Sequence, residues 1–251
     1  MQLDKLVSFL DEQLEIKRFT DSSHNGLQVA NSGRVTRVCL GVDATLPFFE
    51  KAVACGADLV VCHHGLSWGD SLKRIIGLNH RLLAYLLEHD VALWACHLPL
   101  DAHLRLGNNA QLARAFGLRG VQAAFAYHGQ MIGVRGVLPR PMSFEAFRDR
   151  VGQTVGNEVR ALDFGKKMVR SVGIVSGGAP SEIAEAIELG LDVYVTGEAN
   201  LSAYNLALQQ GINAVFAGHY ATEKFGVQAV GELIQRRFHI PAAFVDMGIT
   251  Y

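Results

Sequence analysis

The sequence predicts an α/β protein made of two related three-layer α/β domains that arose by internal duplication. Three observations predict it. A strand–helix–strand pattern occurs twice, each half later carries a histidine followed four residues on by a carboxylate, and Gly 26 against Pro 6 suits many short turns.

The elements follow in chain order. Leu3, Leu6, Val7, Leu10 and Leu14 keep helical spacing, so the chain opens on an amphipathic helix. Asp4 and Lys5 fall where a secretory leader needs an apolar run. No apolar stretch reaches the roughly 18–20 residues of a membrane span. The polar segment Asp21–Gln28 reads as a turn-rich loop before the first strand; whether its Asn25–Gln28 part lines a site stays open.

The first repeat unit runs from Val38 to Cys62 and the second from Val172 to Thr196, an offset of 134 residues that takes Gly56 to Gly190 and Asp58 to Asp192. Pro47 and Pro180 fall near the first helical turn, where a missing N–H costs little. Gly56 and Gly190 fall where a helix closes with positive φ. Two apolar strands around a helix imply parallel pairing with a right-handed crossover. A second match takes Ala84–His97 onto Leu206–His219 with an offset of 122, and Asp101 onto Glu223. Between the halves, Met131–Leu138 reads as a strand and Ser143–Val151 as a short helix capped by Ser143. The expected domains are 1–126 and 127–251.

Composition removes several functions. With 251 residues, 49% hydrophobic, 19% charged and a net charge of -1, the chain is neither disordered nor a general polyanion binder. Residues 135–170 do hold eight Lys/Arg against four Asp/Glu, which keeps nucleic acid as a minor alternative partner. Cys39, Cys55, Cys62 and Cys96 have neither CxxC nor disulfide-framework spacing, so a cytoplasmic protein with reduced thiols is expected. Cys62 and Cys96 alternate in direction with the histidines after them and are read as buried small apolar residues rather than zinc ligands. The run Gly173–Gly178 fits neither GxGxxG nor a P-loop.

The chemistry gathers at strand ends. His63 and His64 close an apolar strand just before Gly65, where adjacent side chains can turn toward one site. His97 with Asp101, and His219 with Glu223, follow the corresponding later strands. His63, His64, Asp101, His219 and Glu223 offer three imidazoles and two carboxylates, a mixed set that suits Zn, Mn or Fe rather than Ca or Mg. Two carboxylates suit a pair of divalent metal ions that activates water. His97 is then a proton carrier or an orienting residue. Glu198 is the repeat counterpart of His64, and its part in the site stays open.

At these residues the chain resembles the Nif-three-like proteins, also called GTP cyclohydrolase I type 2 homologues. The motifs are Asn25–Val29, His63-His64-Gly65, His97–Asp101, Gly107–Asn109, Thr196–Glu198 and Gly218–Glu223. The resemblance runs nearly end to end. It implies two α/β domains with a dinuclear metal centre between them, metal contacts at the same five residues, and a toroidal homohexamer. Tyr220 stands where the family often has a second histidine. The expected function is a metal-dependent hydrolase acting on an unidentified small molecule, with a nucleotide such as GTP suggested only by the family's name. Alternatives are a non-catalytic, metal-binding hexameric scaffold or metal-handling protein, and a DNA-associated ring.

Overall fold

The computed structural model describes all residues from Met1 to Tyr251. In chain order the elements are α1 (Leu3–Gln13), β1 (Gly26–Val29), β2 (Val38–Asp43), α2 (Leu46–Ala54), β3 (Leu59–His64), α3 (Gly77–Glu88), β4 (Ala92–Ala95), α4 (Leu98–Ala102) and α5 (Asn108–Ala115). There follow β5 (Arg119–Tyr127), β6 (Gln130–Ser143), α6 (Phe144–Val155), β7 (Arg160–Asp163), β8 (Met168–Ile174), α7 (Ile183–Glu188) and β9 (Val193–Thr196). The chain ends with α8 (Leu201–Gln210), β10 (Asn213–Phe216), α9 (His219–Phe238) and β11 (Ala242–Phe244).

The chain divides into two α/β units, but not at residue 126. The first comprises Met1–Leu100 with Gly226–Gly248, and the second Asp101–Phe225 with Ile249–Tyr251. Pairing explains the difference from the expected boundary. β5 runs antiparallel to β6 and so belongs to the second sheet, whereas β11 returns to pair in parallel with β2. The later part of α9 follows β11: a Cβ on Gly231 would lie 2.7 Å from Leu40 Cδ1, and Phe238 meets Phe9 edge-on at 5.0 Å.

The first unit holds a five-stranded sheet in the order β1-β4-β3-β2-β11, parallel except for β1. Leu3, Leu6, Leu10 and Leu14 are buried, as the opening helical stripe requires. Phe48, Phe49 and Ala52 of α2 fill the core with Val60, Leu86 and Leu93. Full burial of each phenylalanine contributes about 1.5–3 kcal/mol.

The second unit holds six strands in the order β5-β6-β8-β9-β10-β7, with β8-β9-β10 parallel. Phe147, Val151 and Val155 of α6 pack with Val172, Val193 and Val215. Ser143 caps α6 by accepting from Ala146 N at 3.2 Å, and Gly156 closes it at φ 68°.

Hydrogen bonds reproduce the duplication. Asp58 accepts from the backbone N–H groups of Thr36 and Arg37. Asp192 accepts from those of Arg170 and Ser171, 134 residues on. Gly56 and Gly190 both take positive φ, at 74° and 65°. The later strands, however, are related by 121 residues: Ala92 pairs with Leu59 as Asn213 pairs with Val193. The sequence match at 122 is therefore one residue out of structural register. His219 opens α9 where Leu98 opens α4, and His97 precedes its helix.

Candidate metal centre

In the first unit, β3 delivers His63 and His64 and the end of β4 delivers His97. Their ligating atoms all lie within 4.8 Å of one another. Each ring is oriented through Nδ1. His63 donates to the Cys96 carbonyl at 2.9 Å, His64 to Asp43 Oδ1 at 2.8 Å, and His97 to Asp21 Oδ1 at 3.0 Å. Carbonyls and carboxylates only accept, so the proton of each neutral ring sits on Nδ1 and the lone pair on Nε2. Supporting acceptors of this kind orient metal-binding histidines and make them more basic.

Sheet register explains one of these partners. Asp43 lies directly opposite His64 in the parallel β2–β3 pairing, both at their strands' C-terminal ends, where ligand sites of such sheets gather. Asp21 reaches His97 from the loop before β1. Burial alone would raise its carboxyl; the hydrogen bond and charge of His97, with Asn25 and the Ser23 N–H, hold it at about 2.

The Asn25–Gln28 segment clamps both histidine-bearing turns. Asn25 Oδ1 accepts from His97 N at 2.7 Å, while Gln28 Oε1 accepts from Leu66 N at 2.7 Å and Ser67 N at 3.0 Å. Gly65 leaves room for that amide: a Cβ would lie 2.3 Å from Gln28 Oε1, so a larger residue would displace Gln28 from these bonds. Trp68 donates from Nε1 to Gly65 O at 2.7 Å and sets its ring edge-on to His97, with centroids 4.8 Å apart.

In the second unit, the turn after β8 organises the acidic residues. Asp101 is 7% exposed and accepts from Asn108 Nδ2 at 2.9 Å and Ser176 Oγ at 3.0 Å. The next residue, Gly177, has φ 69°, and a Cβ there would lie 2.2 Å from Glu223 Oε1 and 3.1 Å from His219 Nε2. Asn109 fixes the turn, accepting from Ser176 N at 2.7 Å and donating to Ile132 O at 2.8 Å. The glycine run thus makes room for side-chain oxygens rather than for a phosphate.

His219 stands between two carboxylates. Nδ1 meets Glu198 Oε1 at 2.5 Å and Nε2 lies 3.2 Å from Glu223 Oε1. Burial alone would lower its pKa, but the hydrogen bonds and charges of Glu223 and then Glu198 push it up to about 9. A proton here occupies the place a cation would take. The donors therefore fit a divalent metal: oriented imidazoles, and carboxylates in a pocket opened by glycine. Cys62 does not fit, because burial, with the Asp43 charge adding to it, pushes its thiol well above the ordinary value.

Each unit brings part of the expected set together: His63, His64 and His97 in the first, and Asp101, His219 and Glu223 around Ser176–Gly177 in the second. Glu198, which the sequence left open, supports His219. Asp43 carried no sequence signal beyond its strand-end position. Asp21 carried only the polarity of its loop. The positive charges of residues 135–170 are partly shared with carboxylates, Arg148 with Asp149, Lys166 with Asp192 and Lys167 with Asp163. No helix is long and apolar enough to cross a membrane.

Comparisons with known proteins agree over the whole chain. A protein from Archaeoglobus fulgidus named "GTP cyclohydrolase 1 type 2 homolog" is 40% identical over 247 residues, 98% of each chain. A protein of the same name from Deinococcus radiodurans is 39% identical, covering 97% of this chain and 92% of its own. A crystal structure from Thermus thermophilus superposes with TM-score 0.91 and 36% identity over 100% of both chains. The family described as Duf34/NIF3 (NGG1p interacting factor 3) matches residues 1–248. The chain belongs to the Duf34/NIF3 family.

Proposed function

We propose that the protein is a metal-dependent hydrolase in which His63, His64, Asp101, His219 and Glu223 hold two divalent ions (Zn, Mn or Fe). The observation that carries this is the common orientation of the imidazoles, each tied through Nδ1 to an acceptor. Two bound ions would supply Lewis acidity that makes water acidic near neutral pH.

The chain's own residues do the rest. His63, His64 and His219 bind through Nε2, and Asp101 and Glu223 through carboxylate oxygens. Asp43 and Glu198 keep the rings of His64 and His219 turned the right way. His97 carries a proton to the leaving group from Nε2, while Asp21 on Nδ1 stabilises the imidazolium that forms in between. The name of the archaeal relative directs a first substrate screen to GTP, followed by other nucleotides and phosphoesters. A homohexamer is the assembly proposed with it, on the family resemblance, and a cytoplasmic location is proposed on the spacing of its cysteines.

The test is turnover by protein loaded with Mn, Fe or Zn. Asp101→Asn should lose activity and most of its bound metal, whereas His97→Ala should keep its metal and lose turnover. Full activity in Asp101→Asn would refute the assignment. Tight metal binding with no substrate in a broad screen would favour a metal-stabilised scaffold instead.

A further inference from the structure

We propose that a recess of about 220 Å³ beside His219 binds a zwitterionic group, an ammonium with a carboxylate as in an α-amino acid, through Glu158 and Arg160. The recess lies wholly within the second unit. It sits at the C-terminal ends of the parallel strands β9 and β10, where ligand sites of such sheets gather. Gly197–Ala199 follow β9, Phe216 ends β10, and Arg160 opens β7, the next strand of the sheet. Paired strands lie about 4.8 Å apart, so Arg160 is one such step beyond the strand that leads into His219. Glu198, whose carboxylate holds the His219 ring, forms part of the recess wall.

Val159 packs against the core of the second unit, so Glu158 and Arg160, on either side of it in extended chain, face outward together. Arg160 pairs with Phe216 across β7 and β10, which puts its side chain on the same face as that ring. Both charged residues are exposed and line the recess, yet neither forms an ion pair with the other or with any further residue. Asn157 fixes the wall between them and the His219 turn. Its Nδ2 donates to Ala217 O at 3.4 Å and Thr250 O at 3.3 Å, and a Cβ on Gly218 would lie 2.5 Å from it. A ligand of one sign meets a like charge here, which costs affinity: an anion meets Glu158 and Glu198, a cation meets Arg160. A ligand with both signs pairs with both, its carboxylate in the planar fork of Arg160 and its ammonium on Glu158. Phe216 and Tyr251 offer surface to its apolar part. That this group belongs to a substrate rests on the hydrolase reading above; the binding itself does not.

The test titrates the metal-free, full-length protein with three probes by NMR: L-phenylalanine, 2-phenylethylamine, which lacks the carboxylate, and 3-phenylpropionate, which lacks the ammonium. Leaving out metal keeps chelation by the amino acid from contributing. Phenylalanine should bind about tenfold or more tightly than either single-charge probe, as hydrogen bonds to charged groups imply, and should shift the amides of Asn157–Arg160 and Gly197–Ala199. Glu158→Gln should remove the preference over 3-phenylpropionate alone, and Arg160→Gln the preference over 2-phenylethylamine alone. A general loss of fold cannot produce that crossed pattern, and both side chains are exposed and unpaired. Equal binding of the three probes, no binding of phenylalanine, shifts confined to another part of the chain, or preferences unchanged in both variants would each overturn the proposal. Absence of metal or of turnover would sink the hydrolase reading and leave these binding results standing.

Discussion

Asp43 faces His64 across the parallel pairing of β2 and β3 and accepts a hydrogen bond from its Nδ1 at 2.8 Å. The same arrangement returns in the second unit with a different partner, Glu198 on His219 at 2.5 Å. Both carboxylates act on the nitrogen opposite the one proposed to bind metal.

Asp43→Ala should therefore weaken metal binding without unfolding the first unit. The expected loss is about 10–100-fold in affinity, the usual effect of removing such a partner. Chelator competition on wild type and variant measures it. An unchanged affinity would show that β3 alone orients His64.

His219 gives a pH test. Its pKa is raised to about 9 by Glu223 and Glu198 against the opposing effect of burial. Stability from these contacts in metal-free protein is fully present below the unfolded value of about 6.5 and is lost as pH rises through about 9. Metal must displace that proton, so affinity should climb with pH up to about 9. In Glu198→Gln the climb should end at lower pH. A pH titration of metal-free protein by NMR, following the His219 ring, checks the assignment.

Gly177→Ala should damage the second unit's acidic pocket more than its fold. Positive φ costs a non-glycine residue about 1–2 kcal/mol, while the new Cβ would lie 2.2 Å from Glu223 Oε1. A modest fall in melting temperature with nearly complete loss of metal is expected. Retained metal would mean that Glu223 is not held against this turn.

Asp192 tests the scaffold rather than the site. Burial would raise its carboxyl, but Lys166 and the N–H groups of Ser171 and Arg170 hold it at about 2. Its contribution is present above the unfolded value of about 3.9 and is lost as pH falls through about 2. Asp192→Ala should cost about 1–3 kcal/mol at neutral pH, as hydrogen bonds to a charged group do. That gap should shrink in acid, which denaturant melts at several pH values would show.

Much of this was legible in the sequence because its signals are local. The spacing of Leu3, Leu6 and Leu10, the glycines at 56 and 190, and the His-His-Gly turn each report on a few adjacent residues. The supporting residues were not legible in this way. Asp43 matters only because of strand register, and Gly177 only because Glu223 arrives from a helix distant in sequence. The domain boundary failed for the same reason, since β11 pairs with β2 across nearly the whole chain. The offset of 122 aligned chemically similar residues, whereas the strands themselves keep 121. Both later segments deliver a histidine, but from different positions relative to the helix start.

The most direct test of the centre is metal stoichiometry per chain. It should be measured by mass spectrometry on tag-free protein purified without chelator, then again after reloading with Mn, Fe or Zn. About two ions per chain are expected, as a water-activating pair requires, with a sharp fall in Asp101→Asn. No bound metal after reloading, or an unchanged count in that variant, would contradict the proposed dinuclear site.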